Sequence, residues 1–396
     1  MTTLALNIIV APGEAGLLKR CLDSFKAKEL FDEIVIVNTS LDEAVNTMAR
    51  EYTDKVHYFQ WENDEHPFGD FAGARNLARE HSTTDNIMWL DTDDVLLPIY
   101  EEKFRNALAF VKDEKNANIE QWTMQYSLIC NGDGTPAMSF WRERIFKRTA
   151  IEWRRPVHEG MYPEWDSVKN ARINGVYITH LPMKPAYVSA LRNVKILEME
   201  YKKNPDDLNT KFFLGRDCLR VGKTDQGIEI LTSIIDNLEG GSDMMFGISL
   251  ELAMFYAYGS TETHVLLEDI KQDQLDNVEK WCRQALSFSA NYAEPYVILG
   301  DVYWYRGYMD NAMELYMTAA KKKLGIGKFQ SVPFYTELPA DRLSRIFEAK
   351  GNFAMACHFN KTAIEYNKMD YYINRRKFLI NGLVKEYNDE FGKNES

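Results

Sequence analysis

The hydrophobic pattern of this 396-residue chain changes period once, near residue 190, and that limits it to two architectures in series. Before the change, strand-length apolar runs alternate with helical spacing. Leu4 to Val10 is a buried-strand run stopped by Pro12-Gly13. Leu17, Leu18, Cys21, Leu22 and Phe25 follow at helical spacing. The pattern then repeats as Glu33 to Val37, a helix over 42–52, a strand over 56–60, a helix over 72–81 and a strand over 87–90. Strand, helix, strand, helix predicts an α/β layer with a mostly parallel sheet, whose ligands bind beyond the carboxyl ends of the strands.

After residue 190 the strand signal fades and a second spacing recurs: large, small, aromatic on one helix, then small, bulky, small on the next. Leu299, Gly300 and Tyr303 precede Gly307, Ala312, Tyr316 and Ala319. Leu214, Gly215 and Cys218 precede Gly222, Gly227, Leu231 and Ile234. Leu343, Ser344 and Phe347 precede Gly351, Ala356, Asn360 and Ala363. A looser copy runs from Leu252, Ala253 and Tyr256, across an insertion, to Val278, Cys282 and Ala285. This is tetratricopeptide-like spacing and predicts an all-α solenoid of helical hairpins, in which small residues admit close helix approach. The aromatics Tyr296, Tyr303, Trp304, Tyr305 and Tyr308 are expected mostly in its core. The proline-punctuated segment Leu181 to Pro185 divides the two patterns into domains at 1–185 and 186–396, and the polar tail from Asn388 is expected to fray.

Composition narrows the function. Hydrophobic residues at 45% and charged residues at 27% suit packed cores. A net charge of −12 removes the long-range pull toward polyanions that would make nucleic acid a default partner. Five scattered cysteines form no C-x-x-C pair, which favours a reducing compartment. The N-terminus lacks a basic region before its apolar run, and no run approaches the roughly 20 residues that cross a bilayer. A cytoplasmic protein is expected, with repeat surfaces that leave room for a homodimer.

The densest chemistry lies in Leu90-Asp91-Thr92-Asp93-Asp94, directly after an apolar strand. Carboxylates packed this closely repel unless a cation or solvent offsets them. Mg²⁺ and Mn²⁺ take such oxygen ligands together with substrate phosphates. Phe68-Gly69-Asp70-Phe71-Ala72-Gly73-Ala74-Arg75-Asn76-Leu77-Ala78, followed by Ile87 to Asp94, resembles the inverting family 2 glycosyltransferases of the GT-A fold. The resemblance continues through Asp32 to Val37, Trp153 to Glu159 and Ile178-Thr179-His180, covering about residues 4–185.

It implies a Rossmann-like nucleotide-sugar domain and metal-dependent transfer with inversion. Asp91 and Thr92 would lie by the donor with Asn38, Asp70 and Arg75; Asp93, with Asp91 and His180, would hold Mn²⁺ or Mg²⁺. Glu159 would be the general base, with His158 and Asp94 as rivals. The chain departs from the family at Asn38, where an aspartate commonly addresses the nucleobase. It departs also at Ala11-Pro12-Gly13-Glu14, where an Asn-Glu pair is frequent, so the donor base is left open. The acceptor could be a peptide or protein, or a modified nucleobase in DNA. Arg142, Arg144, Lys147, Arg148, Arg154 and Arg155 form the basic cluster a DNA backbone would require. The competing readings are a scaffold whose repeats act while the transferase domain is degenerate, and a nucleotidyltransferase sharing the metal site.

Overall fold

The computed structural model describes residues 1–130, 134, 136–163, 167–182, 186–237, 241–259, 268, 270–324 and 330–391. The chain forms two compact units, Met1–Leu214 and Gly215–Ser396.

In the first unit the expected alternation is present: β1 (Leu4–Val10), α1 (Ala15–Ser24), α2 (Ala27–Leu30), β2 (Glu33–Asn38), α3 (Glu43–Arg50), β3 (Val56–Tyr58), α4 (Phe71–His81) and β4 (Asn86–Leu90). Then come β5 (Asp94–Leu96), α5 (Glu101–Lys112), β6 (Gln121–Cys130), β7 (Pro136–Lys147), β8 (Glu152–Arg154), β9 (Gly160–Tyr162), β10 (Asn170–His180), α6 (Ala186–Lys203) and α7 (Leu208–Arg220). The eight-stranded sheet has the order β3-β2-β1-β4-β7-β6-β10-β5. Its first four strands are all parallel. β6 and β10 also pair in parallel, while β7 runs antiparallel to both β4 and β6 and β5 antiparallel to β10, so the sheet is mostly parallel, as expected, with two reversed strands. The physical reason is connection length: β6 and β7 follow each other closely enough to form a hairpin, which cannot be parallel.

Every residue of β1 is buried, as a strand covered on both faces requires. Leu4, Leu6, Ile8 and Val10 pack with Leu18, Leu22 and Phe25 of α1 and with Trp122 and Met124 of β6. On the opposite face Ala5, Ile87 and Trp89 meet Ala72, Phe146 and Trp153, and Val35 and Val37 meet Ala74 and Ala78. The alanines of α4 bring that helix close to the sheet, and Asp70 caps it by accepting from Gly73 N at 2.9 Å. α6 belongs to this unit: Lys203 Nζ donates to Glu65 O at 3.1 Å and Arg192 lies 4.6 Å over the Phe71 ring. The expected linker falls partly on 183–185, outside the described residues. We keep 185/186 as the proposed junction of the two sequence patterns; the compact units divide later, within α7.

The second unit continues through α8 (Thr224–Asp236), α9 (Ser242–Tyr258), α10 (Leu275–Phe288), α11 (Glu294–Tyr305), α12 (Met309–Ala320), α13 (Glu337–Ala349), α14 (Phe353–Tyr366) and α15 (Asp370–Phe391). The small repeat positions sit where helices touch. A Cβ on Gly300 would lie 2.4 Å from the Tyr316 ring, and one on Gly215 would lie 2.6 Å from Leu231. Three hairpins turn in the same way. Gly222, Gly307 and Gly351 have φ of 81°, 81° and 74°. The next residue closes each helix end with a backbone bond from Lys223 N to Cys218 O, Tyr308 N to Tyr303 O and Asn352 N to Phe347 O. The aromatic run differs from expectation. Val297, Ile298, Leu299 and Val302 fill the core, whereas Tyr296, Tyr303, Trp304 and Tyr305 are half-buried and Tyr308 is exposed. Residues 392–396 of the tail lie outside the described residues.

Two buried carboxylates shape this unit's energetics. Asp301 accepts from Tyr258 at 2.8 Å and Tyr316 at 2.7 Å and pairs with the buried Arg342. Glu294 accepts from Ser331 N at 2.6 Å and from Tyr335 Oη at 3.0 Å, yet burial outweighs these bonds and raises its carboxyl from 4.5 to about 7. The folded state therefore keeps this proton where the unfolded chain has lost it. The resulting stability is fully present below pH 4.5 and is lost as pH rises to about 7, by up to ~3 kcal/mol. Urea unfolding between pH 5 and 7.5 should show this decline, and Glu294→Gln should flatten it. An unchanged slope in the variant would refute the assignment.

Candidate active site

β4 ends at Leu90, and the next three residues turn the chain into β5, which begins at Asp94. Asp94 N donates to Asp91 O at 3.1 Å, while Asp94 Oδ2 accepts from Asp91 N at 3.0 Å. Asp94 is fully buried and also takes Arg144 Nη1 at 2.9 Å and Tyr126 Oη at 2.7 Å. Burial alone would raise its carboxyl, but the Arg144 guanidinium and the hydrogen bonds hold it below the usual range. A general base must reach the acceptor's proton, and Asp94 has no exposed surface and three internal partners. It holds the turn.

Arg75 projects from α4 and is only 5% exposed. Its Nη2 donates to Asp91 Oδ1 at 2.6 Å and its Nε to Glu159 Oε1 at 2.8 Å. The guanidinium lies 4.3 Å from the Trp89 ring centre and 5.1 Å from that of Trp153. Burial opposes both charges of the Arg75–Asp91 pair. The guanidiniums of Arg75, Arg142 and Arg144 nevertheless keep Asp91 far below the normal carboxylate range. Arg75 thus reaches a residue 84 positions further along the chain, joining Glu159 to the end of β4.

Opposite them, β10 brings His180 into register with Asp94. Its Nδ1 is buried without a hydrogen-bond partner, 3.4 Å from Asp93 Oδ1 and 3.8 Å from Asp94 Oδ1. Asp93, Asp94 and His180 offer ligand atoms all within 4.8 Å of one another. Two ligands each ~2.1 Å from a divalent cation are separated by about 3 Å at a right angle and about 4 Å across it. The spacing and the donor set therefore fit such an ion. Burial would lower the imidazole's affinity for a proton, but the two carboxylates outweigh it and push His180 up to about 9 in the protein alone. The group contains Asp94 where the sequence suggested Asp91; the Arg75 bond engages one oxygen of Asp91.

The remaining expected residues are placed as follows. Thr92 Oγ1 donates to Glu14 Oε2 at 2.7 Å, tying the turn to the loop after β1. Asn38, at the end of β2, donates to Asn46 Oδ1 at 2.9 Å and accepts from Ser40 N at 3.0 Å, so its amide organises its own loop. Asp70 is occupied as the cap of α4. His158 adopts φ 49° and stacks on Phe213 with ring centres 4.3 Å apart. Arg155, three residues earlier, also has a left-handed φ of 76°. Such backbone costs about 1–3 kcal/mol per residue and concentrates at functional loops.

Five of the six residues of the basic cluster have protein partners. Arg144 is buried against Asp94, Arg148 donates to Thr84 O, Lys147 to Ala117 O, Arg154 to Glu152 and Arg155 to His158 O. Sequence reasoning also passed over Trp89 and Tyr126, which face Arg142 and Arg144. The available signal was the i, i+2 spacing of the two arginines, which puts both on one face of a strand.

Residues 8–158 match the family model described as glycosyl transferase family 2. The SPbeta prophage-derived glycosyltransferase SunS of Bacillus subtilis (strain 168) is 24% identical over 253 residues, 61% of this chain and 55% of that protein. A TPR repeat-containing protein of Synechococcus elongatus is 30% identical over 166 residues, 40% of this chain and 35% of that one. The chain thus spans about half the length of the first relative and about a third of the second. Among solved structures, the mannosyltransferase PcManGT from Pyrobaculum calidifontis, in complex with GDP-Man and Mn²⁺, is 13% identical. It covers 59% of this chain and 75% of its own, with a TM-score of 0.35.

Proposed function

We propose that this chain, whose residues 8–158 carry the glycosyl transferase family 2 match, is a metal-dependent inverting glycosyltransferase using a nucleotide-sugar donor. One observation carries the reading. The ligand set of Asp93, Asp94 and His180 lies beside the Arg75 bridge between Asp91 and Glu159, at the carboxyl end of a parallel strand. A degenerate domain would have no reason to retain both.

Asp93 and His180 would hold Mn²⁺ or Mg²⁺, with Asp94 as a buried anchor beneath them. A bound ion supplies charge stabilisation to the departing nucleoside diphosphate. Asp91 and Arg75 would position the donor, with Thr92, Asn38 and Asp70 shaping the loops around it. Glu159 would take the acceptor's proton as the acceptor oxygen, or another nucleophile, bonds to the anomeric carbon. The bond from that carbon to the diphosphate breaks with its electron pair leaving on phosphate oxygen, and the configuration inverts. His158, held on Phe213, would set the loop that presents Glu159. Because five of the six residues of the basic cluster already have protein partners, the sequence argument for a DNA backbone as acceptor is weakened. A peptide or protein acceptor is the reading retained. Among the described residues, no helix is long and apolar enough to cross a membrane.

Thermal unfolding with a panel of nucleoside diphosphates and nucleotide sugars, with and without Mn²⁺, tests the donor site. Binding at a hundred times Kd stabilises the folded state by about 2.7 kcal/mol. A shift that requires Mn²⁺ is expected for one nucleobase. No shift with any nucleotide would move the weight to a scaffold role for the repeats.

A further inference from the structure

Three guanidiniums converge on the end of β4, and they are not equivalent. Arg144 is fully buried on Asp94, and Arg75 is 5% exposed and hydrogen-bonded to both Asp91 and Glu159. Arg142 is different. Its side chain is 29% exposed and makes no hydrogen bond among the described residues; its nearest anionic contact is Asp91 Oδ2 at 3.8 Å. It is nonetheless held in place. Its guanidinium lies 4.5 Å from the Trp89 ring centre and 5.0 Å from that of Tyr126.

The sheet explains this position. β4 and β7 pair at Asn86↔Lys147, Ile87↔Phe146 and Met88↔Ile145, and the ladder stops there. Continued in the same register, it would set Trp89 opposite Arg144 and Asp91 opposite Arg142. Instead side chains fill the gap between the strands: Trp89 Nε1 donates to Glu143 O at 2.8 Å and Arg144 Nη1 to Trp89 O at 3.3 Å. The strands part where the turn of Asp91 to Asp94 begins, and Arg142 occupies the open edge of the parting. Arg75 engages Oδ1 of Asp91 at 2.6 Å, while Arg142 stands 3.8 Å from Oδ2, beyond hydrogen-bond distance, so its donors are not spent on that carboxylate.

We infer that Arg142 is an anion-binding residue of this site, reserved for the diphosphate of the donor. The inference rests on the donor reading above and adds a residue to it. A guanidinium pre-set by two aromatic faces loses little freedom when it binds, and its planar fork matches two phosphate oxygens. The aromatic seats also explain why the charge persists at an open edge without collapsing onto Asp91.

The test is calorimetric titration of UDP, GDP and pyrophosphate in Mn²⁺ against the unsubstituted chain, Arg142→Gln and Arg142→Lys. Pyrophosphate makes the result independent of the nucleobase. Arg142→Gln should weaken diphosphate binding about tenfold or more, since a charge-assisted hydrogen bond is lost. Its affinity for Mn²⁺ alone should not change, because Arg142 is not among the ligand set. If Arg142→Gln lowers the melting temperature markedly, Arg142→Lys decides: it retains the charge without the fork, and a several-fold loss is expected. Diphosphate binding unchanged in both variants, or a parallel loss of Mn²⁺ binding, overturns the inference and leaves Arg142 a partner of Asp91 only. Failure of the unsubstituted chain to bind any diphosphate overturns the donor reading, and the inference with it.

Discussion

Asp93→Asn is expected to abolish metal-dependent transfer, lowering its rate by about a thousandfold or more. Charge stabilisation by a catalytic metal contributes several kcal/mol, and ~4 kcal/mol corresponds to three orders of magnitude in rate. Asp93 is the exposed carboxylate of the ligand set, 25% accessible, with an oxygen 3.4 Å from His180 Nδ1. The substitution keeps the side chain's shape, and the backbone bond from Leu181 N to Asp93 O at 2.9 Å remains. The fold should therefore survive, with a melting temperature close to that of the parent. Transfer from a nucleotide sugar at saturating Mn²⁺ is the measurement, with Mn²⁺ affinity beside it. If the variant retains transfer within tenfold of the parent, Asp93 is not a ligand and the site has been misassigned. A scaffold would behave differently, binding its partner equally well after this change.

Arg342→Leu is expected to destabilise the repeat unit by about 3–5 kcal/mol, because it strands buried carboxylates without a counter-charge. Arg342 has no exposed surface. Its Nε and Nη2 reach the two oxygens of Asp301 at 3.1 and 3.2 Å, and its Nη1 reaches Asp341 at 3.0 Å. Asp301 also accepts from Tyr258 at 2.8 Å and Tyr316 at 2.7 Å, so one carboxylate joins α9, α11, α12 and α13. Leucine keeps apolar volume but leaves these bonds unanswered. Urea unfolding of the whole chain at pH 7.5 should show the loss in the repeat unit's transition. The double variant Arg342→Leu with Asp301→Leu should recover part of it, since removing both charges costs less than removing one. A single-variant loss below about 1 kcal/mol would mean that water reaches the network and screens it.

Much of the architecture was legible because it rests on local periodicity. β1, β2 and β4 carry continuous apolar runs, and such runs mark strands covered on both faces. The hairpin turns at Gly222, Gly307 and Gly351 were readable because a left-handed closing residue selects glycine strongly. The two reversed strands were not readable in the same way. β6, β7 and β10 alternate in a pattern that fits several pairings, and register is settled by the partners a strand meets.

The site divides along the same line. The residues from Asp91 to Asp94 are contiguous, so the sequence by itself determined that a dense negative charge follows a buried strand. The family resemblance also pointed to residues that could answer that charge, Arg75 and His180. Only the tertiary structure decided which carboxylate stays open and which is consumed. Asp93 and Asp94 are chemically identical neighbours, yet one is 25% accessible beside His180 and the other is sealed by Arg144 and Tyr126. That difference comes from strands β6, β7 and β10, whose residues are distant along the chain. It is physical in origin, because the cost of burying a charge depends on which opposite charges and donors the fold brings within a few ångströms.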